Sequence, residues 1–459
     1  MNSPVDGTFS ELAMRLQCFL LGRGSRRLLN LYQEKTRRLA SSKRELHEIQ
    51  ASRLNALLKH AAKRAPLYRE RFREAGFANA NDLRGDLLSY LPVLTRRDLQ
   101  SHGADLRAQN WDAARVLQNS SGGSSGMPVS VWQDQSYRDE LLVTTWISDA
   151  MQGWRFGDRV AMLWGSPKDR GRFQSMKARV LMQARRVRFF DAFAMGPAAM
   201  EQYHREMQGY RPHVVVGYAS ALALYAKFLL ASQRRPAYPL VSIISSAECL
   251  NERQRKLIEE CFGVPVFDRY GSREVGCIGS ECPHHGGLHL HPLDHVVEVV
   301  DTLTGAPVTG RPGKVLITSL TNFAMPLIRY EIGDLAVMGR GECGCGFPGP
   351  MLKKVVGRIS DFIEAPTGRQ VHGEYFTHAF YGLKSVRQFQ FVQKSKTDFL
   401  LRIVKTPEFG SDDLDCILAE TERVLGSDAR LSIEFPTSIP PSPSGKQSFT
   451  ISELENRLQ

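Results

Sequence analysis

The sequence predicts an α/β protein with a large N-terminal domain of layered α/β sheets, a β subdomain attached to it and a small C-terminal α+β domain. Three observations carry this expectation. Apolar strand-like runs alternate with helical segments from residue 159 to 271, a pattern of layers with largely parallel strands. The chain then turns strand-rich from 288 to 335. About a hundred residues beyond 357 hold strand and helix signals of their own, enough for a small domain.

Taken in order, residues 43–76 repeat Leu46, Ile49, Leu54, Leu57, Leu58, Ala61 and Ala62 at three- and four-residue steps, a helix that Pro66 interrupts. Residues 85–100 read as loop and short helix around Pro92. Between 115 and 135 two strand-like stretches flank a Gly/Ser loop, and a helix follows over 136–151. Strands are expected at 159–165, 213–219, 240–248 and 264–271, with helices after the second and over 251–262. LHLH, HVVEVVD, GKVLITSL and PLIRYEIGDL supply the β-rich stretch. VVGRISDFI marks a boundary at 357–361, dividing the chain into residues 1–356 and 357–459. Past it come VRQFQFVQ, FLLRIVK, a helix over 411–426 and LSIEF.

With 459 residues, 42% of them hydrophobic and 24% charged, the chain has the composition of a globular protein with a sizeable core, not a disordered or collagen-like one. No uncharged apolar run reaches the ~18 residues of a membrane span, and the N-terminus lacks the basic-then-apolar pattern of a secretory signal. A cytoplasmic enzyme is therefore expected. The net charge of +12 is concentrated: residues 22–75 hold fifteen Lys or Arg against five Glu. Such a block suits a solvated helix face first, and as the alternative a contact with anionic membrane lipid, nucleic acid or an acidic carrier.

Five short stretches have residue types suited to chemistry. Ser121, Gly122, Gly123, Ser124, Ser125 and Gly126 form a loop whose hydroxyls and amides can approach phosphate oxygens, although no Gly-Lys-Ser/Thr follows. Tyr270-Gly271-Ser272-Arg273-Glu274 ends a strand, where open α/β sheets bind ligands, and a Glu there offers a hard oxygen for Mg²⁺. Asp334, after Gly333, can accept both hydroxyls of a ribose. Pro441-Ser442-Pro443-Ser444-Gly445-Lys446 is a tight turn presenting one lysine. Cys282, His284, His285, His289, His291, Cys343 and Cys345 are ligands suited to zinc, with His289 favoured among the histidines. Each stretch alone also fits an ordinary turn, core or surface.

The order Ser/Gly loop, YGxxE, GDL, GRxxD and PxxSGK resembles the adenylate-forming superfamily of acyl-CoA synthetases. LLKHAAKRAPLYRERF, SAECL and the Cys/His pattern make the chain similar to the phenylacetate-CoA ligase family, in the branch linked to capsular polysaccharide synthesis, over roughly residues 50–450. The resemblance implies an adenylate-forming enzyme fold with a mobile C-terminal domain. It implies ATP β- and γ-phosphates at Ser121 to Gly126, adenine near Tyr270 and Gly271, Mg²⁺ at Glu274 and the ribose at Asp334. Arg358 would lie at the nucleotide, Lys446 would be the adenylation lysine, and Cys282, His289, Cys343 and Cys345 would hold structural Zn²⁺. Met127, Arg273 and Ser360 depart from the lysine, threonine and acidic hinge of many relatives.

The implied activity is AMP-forming activation of an aryl or acyl carboxylic acid, followed by thioesterification to CoA. Transfer to a carrier protein, sugar or amine is the alternative acceptor. Residues 213–225 and Ser245-Ser246-Ala247 are expected to line the acid pocket or serve as core. The partners expected are a small acid and CoA, without specific nucleic acid; a homodimer is left open. The rival from another class is a basic zinc-containing nucleic-acid-binding protein, but no base-reading signature accompanies the charge.

Overall fold

The computed structural model describes residues 12, 15, 25–77, 85–111, 115–120, 129–164, 182–183, 185–192, 194–358, 362–368, 370–372, 376, 380, 383, 385–440 and 449–454. Three helices open this part of the chain: α1 (Ser25–Leu39), α2 (Lys43–Arg64) and α3 (Pro66–Glu74). Ser42 and Glu45 close a capping box at the start of α2, and Pro66 starts α3 at a first-turn position, where its missing N–H costs nothing. The short α4 (Arg96–Ser101) is capped in the same way by Thr95 and Asp98. A hairpin of β1 (Val116–Ser120) and β2 (Ser130–Asp134) leads into α5 (Gln135–Met151).

The alternating segment follows: β3 (Val160–Trp164), β4 (Val187–Asp191), α6 (Pro197–Tyr210), β5 (Val214–Gly217), α7 (Ala219–Ala231), β6 (Ser242–Ser246), α8 (Glu252–Phe262) and β7 (Val266–Ser272). Strands β3 to β7 are parallel, in the order β4-β3-β5-β6-β7. Both faces of the central strands β5 and β6 are covered, which is why β5 reads as a continuous apolar run and β6 is buried throughout. Val214, Val216 and Ile244 meet Trp146 and Ile147 of α5 on one side. Val215, Ile243 and Val266 meet Leu222 and Tyr225 of α7 and Ile258 of α8 on the other.

The β-rich stretch joins the same sheet. Strands β8 (Gly276–Glu281), β9 (Leu288–Leu290), β10 (His295–Val300), β11 (Pro312–Ser319), β12 (Tyr330–Met338) and β13 (Met351–Arg358) continue the same sheet, antiparallel, in the order β7-β8-β9-β13-β12-β11-β10. Eleven strands are thus joined edge to edge. Gly357 and Arg358 pair with Leu335 and Asp334, so the large sheet runs two residues past the expected division at 356.

Beyond it lie a short hairpin of β14 (Phe362–Glu364) and β15 (Gln370–His372), and a four-stranded sheet. That sheet is ordered β18-β17-β16-β19, from β16 (Val386–Gln393), β17 (Asp398–Lys405), β18 (Arg430–Glu434) and β19 (Thr450–Ser452), with α9 (Ser411–Leu425) alongside. Phe376, Phe380, Phe389, Phe391 and Phe399 give it a core of its own with Ile417 and Leu425.

The basic N-terminal helices are anchored, not free. Lys35 is 1% exposed; its ammonium donates to Asp294 Oδ1 at 2.5 Å and to Thr144 Oγ1 at 2.7 Å. Arg53 donates to the Leu293 carbonyl, Arg27 and Lys43 pair with Asp139 and Glu342, and Arg38 and Arg44 pair within their own helices with Glu34 and Glu48. Among the described residues no helix is long and apolar enough to cross a membrane.

Candidate functional site

The site forms where the parallel half of the sheet becomes antiparallel, at the carboxyl end of β7, a place where open α/β sheets leave a crevice. Tyr270 on β7 donates its phenol to Asp334 Oδ2 on β12 at 2.7 Å. Arg358, opposite Asp334 in the β12–β13 register, places its Nε 3.3 Å from the other carboxylate oxygen. Gly333 supplies a left-handed turn (φ +87°) just before Asp334, a conformation that suits glycine. Burial, and then the Asp334 charge, push the Tyr270 phenol well above its ordinary value, so it remains a donor.

Gly271 is required by close approach. A Cβ there would meet the Gly276 carbonyl at 2.6 Å, because β7 turns directly into β8. The turn carries Glu274, which is buried at 7% exposure. Among the described residues no cation pairs with its carboxylate. A buried carboxylate without a counter-ion fits a bound cation. The charges of Glu274, Asp334 and Arg358 are all felt by the Tyr330 phenol, whose pKa burial raises first. Tyr330 is buried near this corner, and in the sequence it appears only as a neighbour of the GDL motif.

Ser121 to Gly126, with Met127, lie outside the described residues, but the hairpin that carries them does not. Ser120 pairs with Ser130 across its stem. Asn119 donates to the Arg273 carbonyl at 3.0 Å, and Gln133 reaches the same oxygen at 3.5 Å. Tyr137, in the first turn of α5, donates to the Glu274 carbonyl at 3.2 Å. Both ends of the Ser/Gly loop are thus tied to the turn that bears Glu274. Asn119, Gln133 and Tyr137 were missed in the sequence, because only their fold partners reveal the role. Lys446 and Ser360 lie outside the described residues.

A second cluster gathers Cys282 at the end of β8, His289 on β9, and Cys343 and Cys345 in the β12–β13 loop. Their ligand atoms all lie within 4.8 Å of one another. Cys282 and Cys343 sulfurs are 3.6 Å apart, and His289 Nε2 lies 3.4 Å from Cys282 and 3.3 Å from Cys345. A tetrahedral zinc with bonds of about 2.0–2.3 Å needs ligand spacings close to these. The Phe347 amide donates to the Cys345 sulfur, as suits a thiolate. His291 goes elsewhere, accepting or donating at 2.7 Å to Ser148, and His285 faces Glu281. Burial pushes His291 down to about 3, so it stays neutral.

A family model, the CapK C-terminal domain, matches residues 363–453. Protein CapK of Staphylococcus aureus is 23% identical over 260 residues, which is 56% of each chain, so the match spans about half the length of that relative. A phenylacetate-coenzyme A ligase of Thermus thermophilus is 27% identical over 345 residues, 72% of this chain and 74% of that one. A crystal structure of 2-hydroxyisobutyryl-CoA ligase in the postadenylation state superposes with a TM-score of 0.68 at 20% identity, covering 88% of this chain and 89% of the other. That last likeness is one of fold.

Proposed function

We propose, from the premise that this chain belongs to the adenylate-forming superfamily beside the phenylacetate-CoA ligases and CapK, that it activates a carboxylic acid with ATP and passes the acyl group to CoA. The observation that carries the proposal is the convergence of Tyr270, Asp334, Arg358, Glu274 and the Ser/Gly hairpin stem on one corner of the sheet. In this reading the acid's carboxylate attacks the α-phosphorus of ATP, pyrophosphate leaves, and an acyl-adenylate forms. Asp334 accepts the ribose hydroxyls, and Tyr270 and Arg358 hold that carboxylate in place. Glu274 would hold Mg²⁺, which neutralises phosphate charge when bound. Lys446, on a C-terminal unit taken to begin after Arg358, would donate to the oxygens that gain charge in the transition state. It must then withdraw so that a thiol can reach the acyl carbon, which accounts for its place on a separate unit.

Cys282, His289, Cys343 and Cys345 would hold a structural zinc pinning the β12–β13 loop to β8 and β9, with no chemical step at it. The acid is an aryl or acyl acid, and a role in capsular polysaccharide synthesis is the finer form of the proposal, supported by the CapK likeness. The test is a pyrophosphate-exchange screen across aryl, fatty and amino acids with CoA consumption measured in parallel. Exchange with at least one acid, and CoA consumed with the same acid, is expected. Exchange without CoA use would move the acceptor to a carrier thiol, sugar or amine. No exchange with any acid would overturn the proposal.

A further inference from the structure

The parallel half-sheet has a second charged end. At the amino ends of β3, β4 and β5, opposite the nucleotide corner, Val160, Val187 and Val214 stand side by side, and the residues just before them bring arginines together. Arg155, Arg186, Arg188 and Arg211 are exposed and Arg159 is half-buried. Among the described residues none of these five guanidiniums pairs with a carboxylate. The nearby acid, Asp158, is engaged by the Arg155 amide at 2.7 Å and lies 3.5 Å from His213 Nδ1.

The Arg159, Arg186 and Arg188 guanidiniums are held in place. Arg159 Nε donates to the Arg211 carbonyl at 2.7 Å, and Arg186 Nη1 to the Gly157 carbonyl at 2.8 Å. The Arg188 guanidinium lies 4.7 Å from the centre of the Tyr210 ring, and the Tyr210 hydroxyl donates to the Arg186 carbonyl. Burial raises the Tyr210 phenol, against the pull of Arg188, Arg159 and Arg186, so three guanidinium charges act on one ring. Arg186 and Arg211 sit in left-handed backbone, at φ 53° and 54°. Arg211 does so as the residue closing α6, where glycine is the cheaper choice. A preorganised, self-repelling set of guanidiniums matches the forked geometry of phosphate oxygens.

We propose that Arg159, Arg186, Arg188 and Arg211 form a second anion site, which takes a ligand carrying clustered phosphates. The site is independent of the adenylation reading. It is tested by calorimetric titration of the full chain with inositol hexakisphosphate, with Mg²⁺ and a non-hydrolysable ATP analogue in excess to fill the nucleotide site. One binding event is expected, weakening steeply with salt. The R159Q/R186Q/R188Q variant should bind at least about tenfold more weakly while keeping pyrophosphate exchange. R188Q/R211Q, which removes no hydrogen bond made by either guanidinium among the described residues, should weaken in the same direction and decides the matter if the triple variant fails to fold. Cosedimentation with phosphatidylcholine vesicles, with and without phosphatidylinositol bisphosphate, assigns the source. Capture lost in the variants makes it a lipid headgroup, and soluble binding without capture makes it a free phosphate compound. No binding by the wild type, or equal binding by both variants, overturns the site.

Discussion

Asp334 has two partners before any ribose arrives, and they hold its carboxylate from opposite sides. Asp334→Asn keeps the shape and removes the charge that Arg358 and the ribose hydroxyls need. On this account kcat/KM for ATP in pyrophosphate exchange falls about a hundredfold, mostly through KM; an unchanged KM would count against the ribose role. A second carboxylate has a pH signature. Burial first, and then the neighbouring Glu281, push Asp268 up to about 7. The folded state therefore holds a proton that the unfolded chain loses near pH 4, and stability contributed by the neutral form declines as pH rises from about 4 to 7. Asp268→Asn should raise the melting temperature by more than about 2 °C at pH 8, by less than half as much at pH 5 and by little at pH 4. An equal gain at all three pH values would contradict that assignment. Of the residues proposed to meet the nucleotide, Tyr270, Gly271, Glu274, Asp334 and Arg358 stand out in the sequence because each sits in a short motif. Asn119, Gln133, Tyr137 and Tyr330 do not, since a carboxamide or phenol in a strand or helix carries no local signal until tertiary partners are known.

Among the elements, α1 changes meaning most between sequence and structure. In sequence it is part of a basic block; in the fold its Lys35 is sealed against Asp294 and Thr144, which ties α1 to α5 and to the segment after β9. Charge counting cannot see this, because it does not separate a paired, buried ammonium from a solvated one. Lys43 likewise pairs with Glu342, next to Cys343, so segments some three hundred residues apart meet. Lys35→Met leaves Asp294 buried without its cation and should cost about 3–5 kcal/mol in denaturant unfolding. Lys35 also pairs with Glu140 at 2.7 Å, so Lys35→Met/Asp294→Leu should recover part of that and Lys35→Met/Asp294→Leu/Glu140→Gln more; no recovery in either would mean that the loss lies in packing instead. The β12–β13 loop has its own test. The purified chain is expected to carry one zinc per chain by elemental analysis, and Cys345→Ser to lose most of it. Full occupancy in that variant would remove Cys345 from the ligand set.

At the scale of the whole molecule, the parallel strands β3, β5, β6 and β7 were legible as apolar runs, β4, with its Arg188 and Asp191, was not, and the antiparallel ones were legible only as a strand-rich stretch. That they join into one sheet of eleven strands was not, because nothing local to β8 or β13 says which neighbour it pairs with. The join matters for chemistry: it brings β7 and β12, sixty-four residues apart at Tyr270 and Asp334, within one hydrogen bond. The rival assignment to nucleic acid is weakened, since part of the N-terminal surplus is met from outside the block: Arg27, Lys35 and Lys43 pair with Asp139, Asp294 and Glu342. The central claim is that this corner binds ATP for an adenylation completed by a lysine on the C-terminal unit. It is tested most directly by carboxylate-dependent pyrophosphate exchange in Lys446→Ala, with ATP affinity measured on the same sample. The account predicts ATP binding within about threefold of the wild type and exchange reduced at least about a hundredfold; exchange at the wild-type rate would contradict it.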